Sequence, residues 1–103
     1  MNKEILLVLA KILQDQEKYK EVKLETLIHD GKEFNLFLTD PPGIYVIFAS
    51  EKAFVTSGTN AFLSTICQKF DNKYGENLKI LFYNEKLKVF TYTYKEYMFS
   101  KPQ

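Results

Sequence analysis

Apolar positions near the start of the chain recur with a helical period. Ile5, Leu6, Leu9, Ile12 and Leu13 fall on one face of a helix predicted over about residues 2–19. Asn2 offers a side-chain oxygen at the N-cap position. Asp15, Gln16, Glu17 and Lys18 are all polar, so periodicity leaves the end of this helix open. The period then shortens to two. Asp30-Gly31, a dipeptide suited to a tight hairpin turn, separates strands predicted at residues 23–29 and 32–39. Phe34, Leu36 and Leu38 alternate with Asn35 and Thr39, but Phe37 is apolar on the opposite parity, which predicts that both faces of this strand are partly covered.

Asp40-Pro41-Pro42-Gly43 stops the strand and turns the chain. Residues 44–49 are apolar on both parities, the pattern of a central strand. A turn at residues 50–52 leads to a short return strand at 53–56. Ser57, Gly58, Thr59 and Asn60 then open a helix to about Tyr74, with the stripe Leu63, Ile66, Cys67, Phe70 and Tyr74, stopped by Gly75. Strands at 78–83 and 87–94 flank a turn around Asn84, Glu85 and Lys86, and Tyr97, Met98 and Phe99 suggest a last helical turn. The order α-β-β-β-β-α-β-β predicts an α+β fold: a small, mostly antiparallel sheet with an N-terminal helix and a central helix packed on it. One domain over residues 1–103 is expected.

Composition narrows the chemistry. Hydrophobic residues make up 46% and aromatics 16% of 103 residues, with no Trp, so Phe and Tyr dominate the core and any contact surface. The net charge is +1, which gives no global attraction to nucleic acid, and any basic footprint must be local. All 14 basic residues are lysine. The chain therefore lacks the bidentate Arg fork for phosphate, carboxylate or guanine. No apolar run reaches membrane-spanning length, and residues 5–10, followed by Lys11, are too short for a signal peptide; a cytoplasmic protein without membrane contact is expected.

His29 and Cys67 are single and far apart, so neither a metal site nor a Cys-His nucleophile is predicted, and no cofactor is implied. His29 beside the Asp30-Gly31 turn reads as solvated, and Cys67 on the apolar stripe as core. Ser57, Thr59 and Asn60 at a helix start suit a phosphate or carboxylate, or ordinary capping. Lys69 and Lys73 share a helix face and, with Lys79, Lys86 and Lys88, outline a basic patch; interleaved Asp71, Glu76 and Glu85 suit a solvated face equally. Tyr92 and Tyr94 have the same parity and, with Tyr97 and Phe99, suit base stacking, a second small core under the N-terminal helix, or a dimer contact.

Gly43-Ile44-Tyr45 opens one strand and Phe54-Val55-Thr56 closes the next. Ser57, Gly58, Thr59 and Asn60 precede a helix, and Lys73-Tyr74-Gly75-Glu76-Asn77-Leu78 precedes another strand. This order resembles the GIY-YIG nuclease family over about residues 41–82. The resemblance implies two tyrosines near an attacking water, an arginine on the helix to stabilise the phosphate, and a downstream glutamate on a divalent metal. Tyr45 matches the first tyrosine, whereas Phe54 lacks the second hydroxyl, Thr56 replaces glycine and Ser64 falls near the arginine position. Lys69 is the nearest cation, roughly a turn or more away. Glu85 and Glu96 are candidates for the metal carboxylate by order alone. Loss of one preorganised donor costs roughly two to three orders of magnitude in rate. The resemblance therefore implies a degenerate domain, without the catalytic arginine, kept for binding.

The expected function is a non-catalytic binding or inhibitory protein on a GIY-YIG-like scaffold, such as a phage or mobile-element regulator. Its partner would be nucleic acid or a protein, met by Tyr45, Ser57, Thr59, Asn60, Lys69 and Lys73. The alternatives are a dimeric protein-interaction or chaperone-like module with no nuclease ancestry, and a weak Mg²⁺-dependent nuclease that uses Tyr45 with Lys69 in place of arginine. The element order loosely resembles dimeric type III secretion chaperones, which are generally acidic, whereas this chain is neutral. A homodimer is compatible with the binding readings.

Overall fold

A computed structural model describes residues 2–50, 62, 63, 65, 66 and 78–96. The element order is α1 (Lys3–Glu17), β1 (Glu21–His29), β2 (Lys32–Asp40), β3 (Gly43–Phe48), β4 (Leu78–Tyr83) and β5 (Val89–Thr93). Phe62, Leu63, Thr65 and Ile66 are helical between β3 and β4, and residues 94–96 form a helical turn after β5. The strand expected at 53–56 and the final turn expected at Tyr97, Met98 and Phe99 lie outside the described residues.

Helix α1 starts where its cap allows and ends where its backbone turns left-handed. The Glu4 N–H donates to Asn2 Oδ1 at 2.8 Å, satisfying one of the donors left free in the first turn. Lys18 takes φ 59° and ψ 36°, and its N–H donates to the Gln14 carbonyl. The Tyr19 N–H reaches the same carbonyl at 3.2 Å, so the helix closes on groups that would otherwise be unpaired. Gln14 Nε2 then donates to the Lys20 carbonyl at 3.0 Å, which ties the helix end to the start of β1.

The five strands lie in sequence order, β1-β2-β3-β4-β5. β1–β2, β2–β3 and β4–β5 pair antiparallel, and β3–β4 pair parallel. The sheet is thus mostly antiparallel and the fold α+β. Asp30 (φ 52°) and Gly31 (φ 74°) make the first hairpin turn, in the conformation that Asp-Gly favours. The Asp40–Pro41 bond is cis in the second. A parallel pair needs a long crossover, and the residues between β3 and β4 supply it with helical Phe62, Leu63 and Ile66 on one face of the sheet.

Helices cover both faces. Leu6, Leu9, Ala10 and Leu13 of α1 pack on Phe37, Tyr45, Ile47 and Leu81. Phe62, Leu63 and Ile66 pack on Phe34, Leu36, Ile44, Val46, Phe48, Leu78, Ile80 and Phe82 on the other face. Phe34 and Phe62 stack at 3.7 Å with ring planes 12° apart. The apolar Phe37 that breaks the β2 alternation is thereby explained, because it meets α1 while Leu36 meets the opposite helix. His29 is half-buried, its ring 5.7 Å from Phe62, so it keeps part of its surface in solvent while packing on the helical residues. Among the described residues no helix is long and apolar enough to cross a membrane.

Two backbone positions test this account. A Cβ at Gly31 meets nothing within 4 Å. Gly31→Ala should therefore lower stability by about 1 kcal/mol through its positive φ alone. Lys18→Gly, at the left-handed residue after α1, should raise stability by about 0.5–1 kcal/mol. Urea unfolding of both variants checks the two signs.

Candidate functional site

Tyr45 lies at the third position of β3, on the α1 face, and is 1% exposed. Its hydroxyl is 2.7 Å from that of Tyr19, which the left-handed end of α1 swings back over the sheet. The two rings meet edge-on with centroids 6.2 Å apart. Lys79, the register partner of Tyr45 on β4, places Nζ 3.4 Å from the same hydroxyl and 5.2 Å from the ring centroid. The phenol can thus accept from the ammonium and donate to Tyr19. Burial pushes the Tyr45 phenol well above its ordinary pKa, reinforced by the hydrogen bond to Tyr19, the Tyr19 charge and the nearby Glu17 carboxylate. The hydroxyl therefore keeps its proton throughout the neutral range. That makes it a poor base and a good structural bridge.

The glycine of the Gly43-Ile44-Tyr45 triplet has a steric reason of its own. A Cβ at Gly43 would stand 2.8 Å from Thr39 Oγ1. That hydroxyl donates to the Pro41 carbonyl at 2.8 Å and lies 3.3 Å from the Gly43 carbonyl. The β2–β3 turn closes because glycine leaves room for it. Beside Tyr19, the side chains of Lys11, Gln14, Asp15 and Lys18 line an open depression of about 490 Å³. Its lining is mostly polar and it is open to solvent, unlike the enclosed apolar pockets that hold small ligands.

Of the residues expected to bind, Tyr45 is in the core, and Ser57, Thr59, Asn60, Lys69 and Lys73 lie outside the described residues, as do Phe54, Thr56, Ser64 and Cys67. Glu85 and Glu96 stand at opposite ends of β5. Among the described residues no group of three or more His, Cys, Asp or Glu side chains could hold a metal ion. β2 occupies one edge of β3 and β4 the other. The return strand that the family resemblance puts at residues 53–56 lies outside the described residues.

The lysines and aromatics of the last hairpin divide between the two faces. Lys79 sits beside Tyr45 under α1, whereas Phe90 and Tyr92 pair with Phe82 and Ile80 and face the other way. Lys88 places Nζ 5.3 Å from the Phe90 ring centroid, a cation–π distance. Tyr94 does not continue the strand; it enters the helical turn and is 3% exposed, in the core opposite α1. Tyr92 is 41% and Phe90 38% exposed. The expected pairing of Tyr92 with Tyr94 is thus replaced by Phe90 with Tyr92, and the small core that Tyr94 joins is not the one under the N-terminal helix. Alternation along 88, 90 and 92 would have found this surface in the sequence had the strand end been placed at Thr93.

Comparison with protein-family models, curated proteins and solved structures gives no significant match.

The Tyr45 bridge has a pH signature. Tyr45→Phe should lower stability at neutral pH by about 1 kcal/mol, the usual net worth of such a hydrogen bond. The folded phenol holds its proton to higher pH than the unfolded one, which ionises near 10. The stability this supplies is complete below pH 10 and falls as the pH rises beyond it. The gap between wild type and Tyr45→Phe should therefore narrow in alkaline solution, as urea midpoints across that range would show.

Proposed function

We propose that this domain acts by binding and not by catalysis, and that its contact surface is the strip Lys88, Phe90 and Tyr92 on β5. The observation that carries the reading is the pair of large aromatic rings left open on an edge strand, with an ammonium over one of them. Among the described residues, Phe34, Phe37, Tyr45, Phe48 and Phe82 of the sheet are buried, whereas Phe90 and Tyr92 are exposed. Rings on a strand, flanked by a cation, are the chemistry of base stacking on a single-stranded nucleic acid. The same surface offers a protein partner the Phe and Tyr anchors that interfaces favour.

The role of Tyr45 supports the non-catalytic side. The residue that the GIY-YIG resemblance would set beside an attacking water is covered by α1 and bonded to Tyr19 and Lys79. A regulatory or inhibitory role, of the kind small mobile-element proteins carry out, is consistent with a domain that binds without turnover. It does not require the GIY-YIG scaffold.

Fluorescence anisotropy of labelled single-stranded DNA and RNA tests the ligand class. Phe90→Ala with Tyr92→Ala should weaken salt-sensitive binding by about tenfold or more, since each lost stacking contact is worth about 1–3 kcal/mol. Absence of binding to either strand would shift the reading to a protein partner. Mg²⁺-dependent plasmid cleavage that disappears in Tyr45→Phe would overturn the non-catalytic reading.

A further inference from the structure

We infer that β5 pairs antiparallel with β5 of a second copy of this chain, joining two sheets into one. Among the described residues no strand lies beyond β5. The direction of its free backbone groups follows from the turn that precedes it. The Asn84 N–H donates to the Lys88 carbonyl at 3.2 Å, which makes 84 and 88 a hydrogen-bonded pair. Antiparallel ladders alternate such pairs with open ones. In the observed register, Phe82 with Phe90 and Ile80 with Tyr92 are then the bonded pairs. The N–H and C=O groups of Val89, Thr91 and Thr93 point away from β4, to the open edge.

The five residues Val89, Phe90, Thr91, Tyr92 and Thr93 are self-complementary about Thr91. With a two-fold axis there, Thr91 meets Thr91 of the second copy and Val89 meets Thr93. The three bonded pairs exchange about six backbone hydrogen bonds. Phe90 stands opposite Tyr92 of the second copy, twice, in the pairs whose side chains approach most closely. β5 itself carries no charge.

The other edge of the sheet is built differently. β1 carries Glu21, Lys23 and Glu25, with an ion pair between Lys23 and Glu21 at 3.4 Å. Charged side chains along an edge strand blunt it against pairing. The contrast points to β5 as the edge left for pairing, and its symmetry points to a second copy over an unrelated strand. Dimerisation would place four rings, two from each copy, in one strip between two Lys88 side chains. This doubles the surface proposed above, but the pairing rests on the backbone edge and is tested without any ligand.

Sedimentation equilibrium of the full chain, from about micromolar to about millimolar, reads the result. The wild type should show a reversible monomer–dimer equilibrium. Thr91→Pro removes an outward N–H and no bond to β4; it should raise the dissociation constant about tenfold or more with the circular dichroism spectrum unchanged. Phe90→Lys with Tyr92→Lys sets like charges across the axis and should also give monomer, which keeps the test decisive if the proline variant fails to fold. Phe90→Lys with Tyr92→Glu sets unlike charges across the same axis and should restore the dimer. A wild type that stays monomeric throughout, a dimer indifferent to these changes, or a Lys/Glu variant that remains monomeric would overturn the proposal.

Discussion

β3 is covered on every side, and the rest of the molecule is arranged around that constraint. Its faces meet α1 and the helical residues Phe62, Leu63 and Ile66, and its edges meet β2 and β4. A strand so enclosed must be apolar on both parities, and any polar side-chain atom on it needs a partner within reach. Ile44, Val46, Ile47 and Phe48 meet the first demand. Tyr45 meets the second, because the end of α1 delivers Tyr19 and the parallel neighbour delivers Lys79. The left-handed Lys18, the glycine at 43 and the β3–β4 register all serve that one closed position.

Enclosure at the centre moves exposed chemistry to the rims. The two edge strands answer the hazard of an open backbone in opposite ways. β1 is lined with alternating charge, whereas β5 presents aromatic rings and threonines with a lysine before them. Packing on its inner neighbour holds β5 in place, since the Phe82 ring lies 6.1 Å from Tyr92. The strip is therefore fixed by the core while remaining open to a partner, the combination that lowers the entropy lost on binding. The buried phenol at the centre is held in its neutral form by burial and by Tyr19, while the rim remains open to a partner.

The turn chemistry shows how local and tertiary demands trade. Asp30-Gly31 satisfies its positive φ angles with the residues best suited to them. Leu87 adopts φ 58° without that advantage. Asn84 compensates by accepting from the Lys86 and Lys88 N–H groups at 2.9 and 3.0 Å, and Leu87 packs against the α1-side core. A strained residue survives there because its side chain is used.

Much of the fold was legible in the sequence. The helical period of Ile5 to Leu13, the Asp30-Gly31 turn, the doubly apolar run after Gly43 and the final hairpin all follow from local spacing, since period and turn geometry are properties of a few adjacent residues. The Gly43-Ile44-Tyr45 triplet was legible too, but its use was not. Sequence order did not reveal that β3 takes β4 as its parallel neighbour. The end of β5 at Thr93 likewise separated Tyr92 from Tyr94, sending one ring to the surface and the other to the core. Local pattern therefore determined which residues form strands and helices, and the α+β class. Only the tertiary structure decided which strands are neighbours, that Tyr45 is enclosed and that Phe90 and Tyr92 are open. The reason is physical: pairing partners and burial depend on residues distant along the chain, which periodicity does not encode.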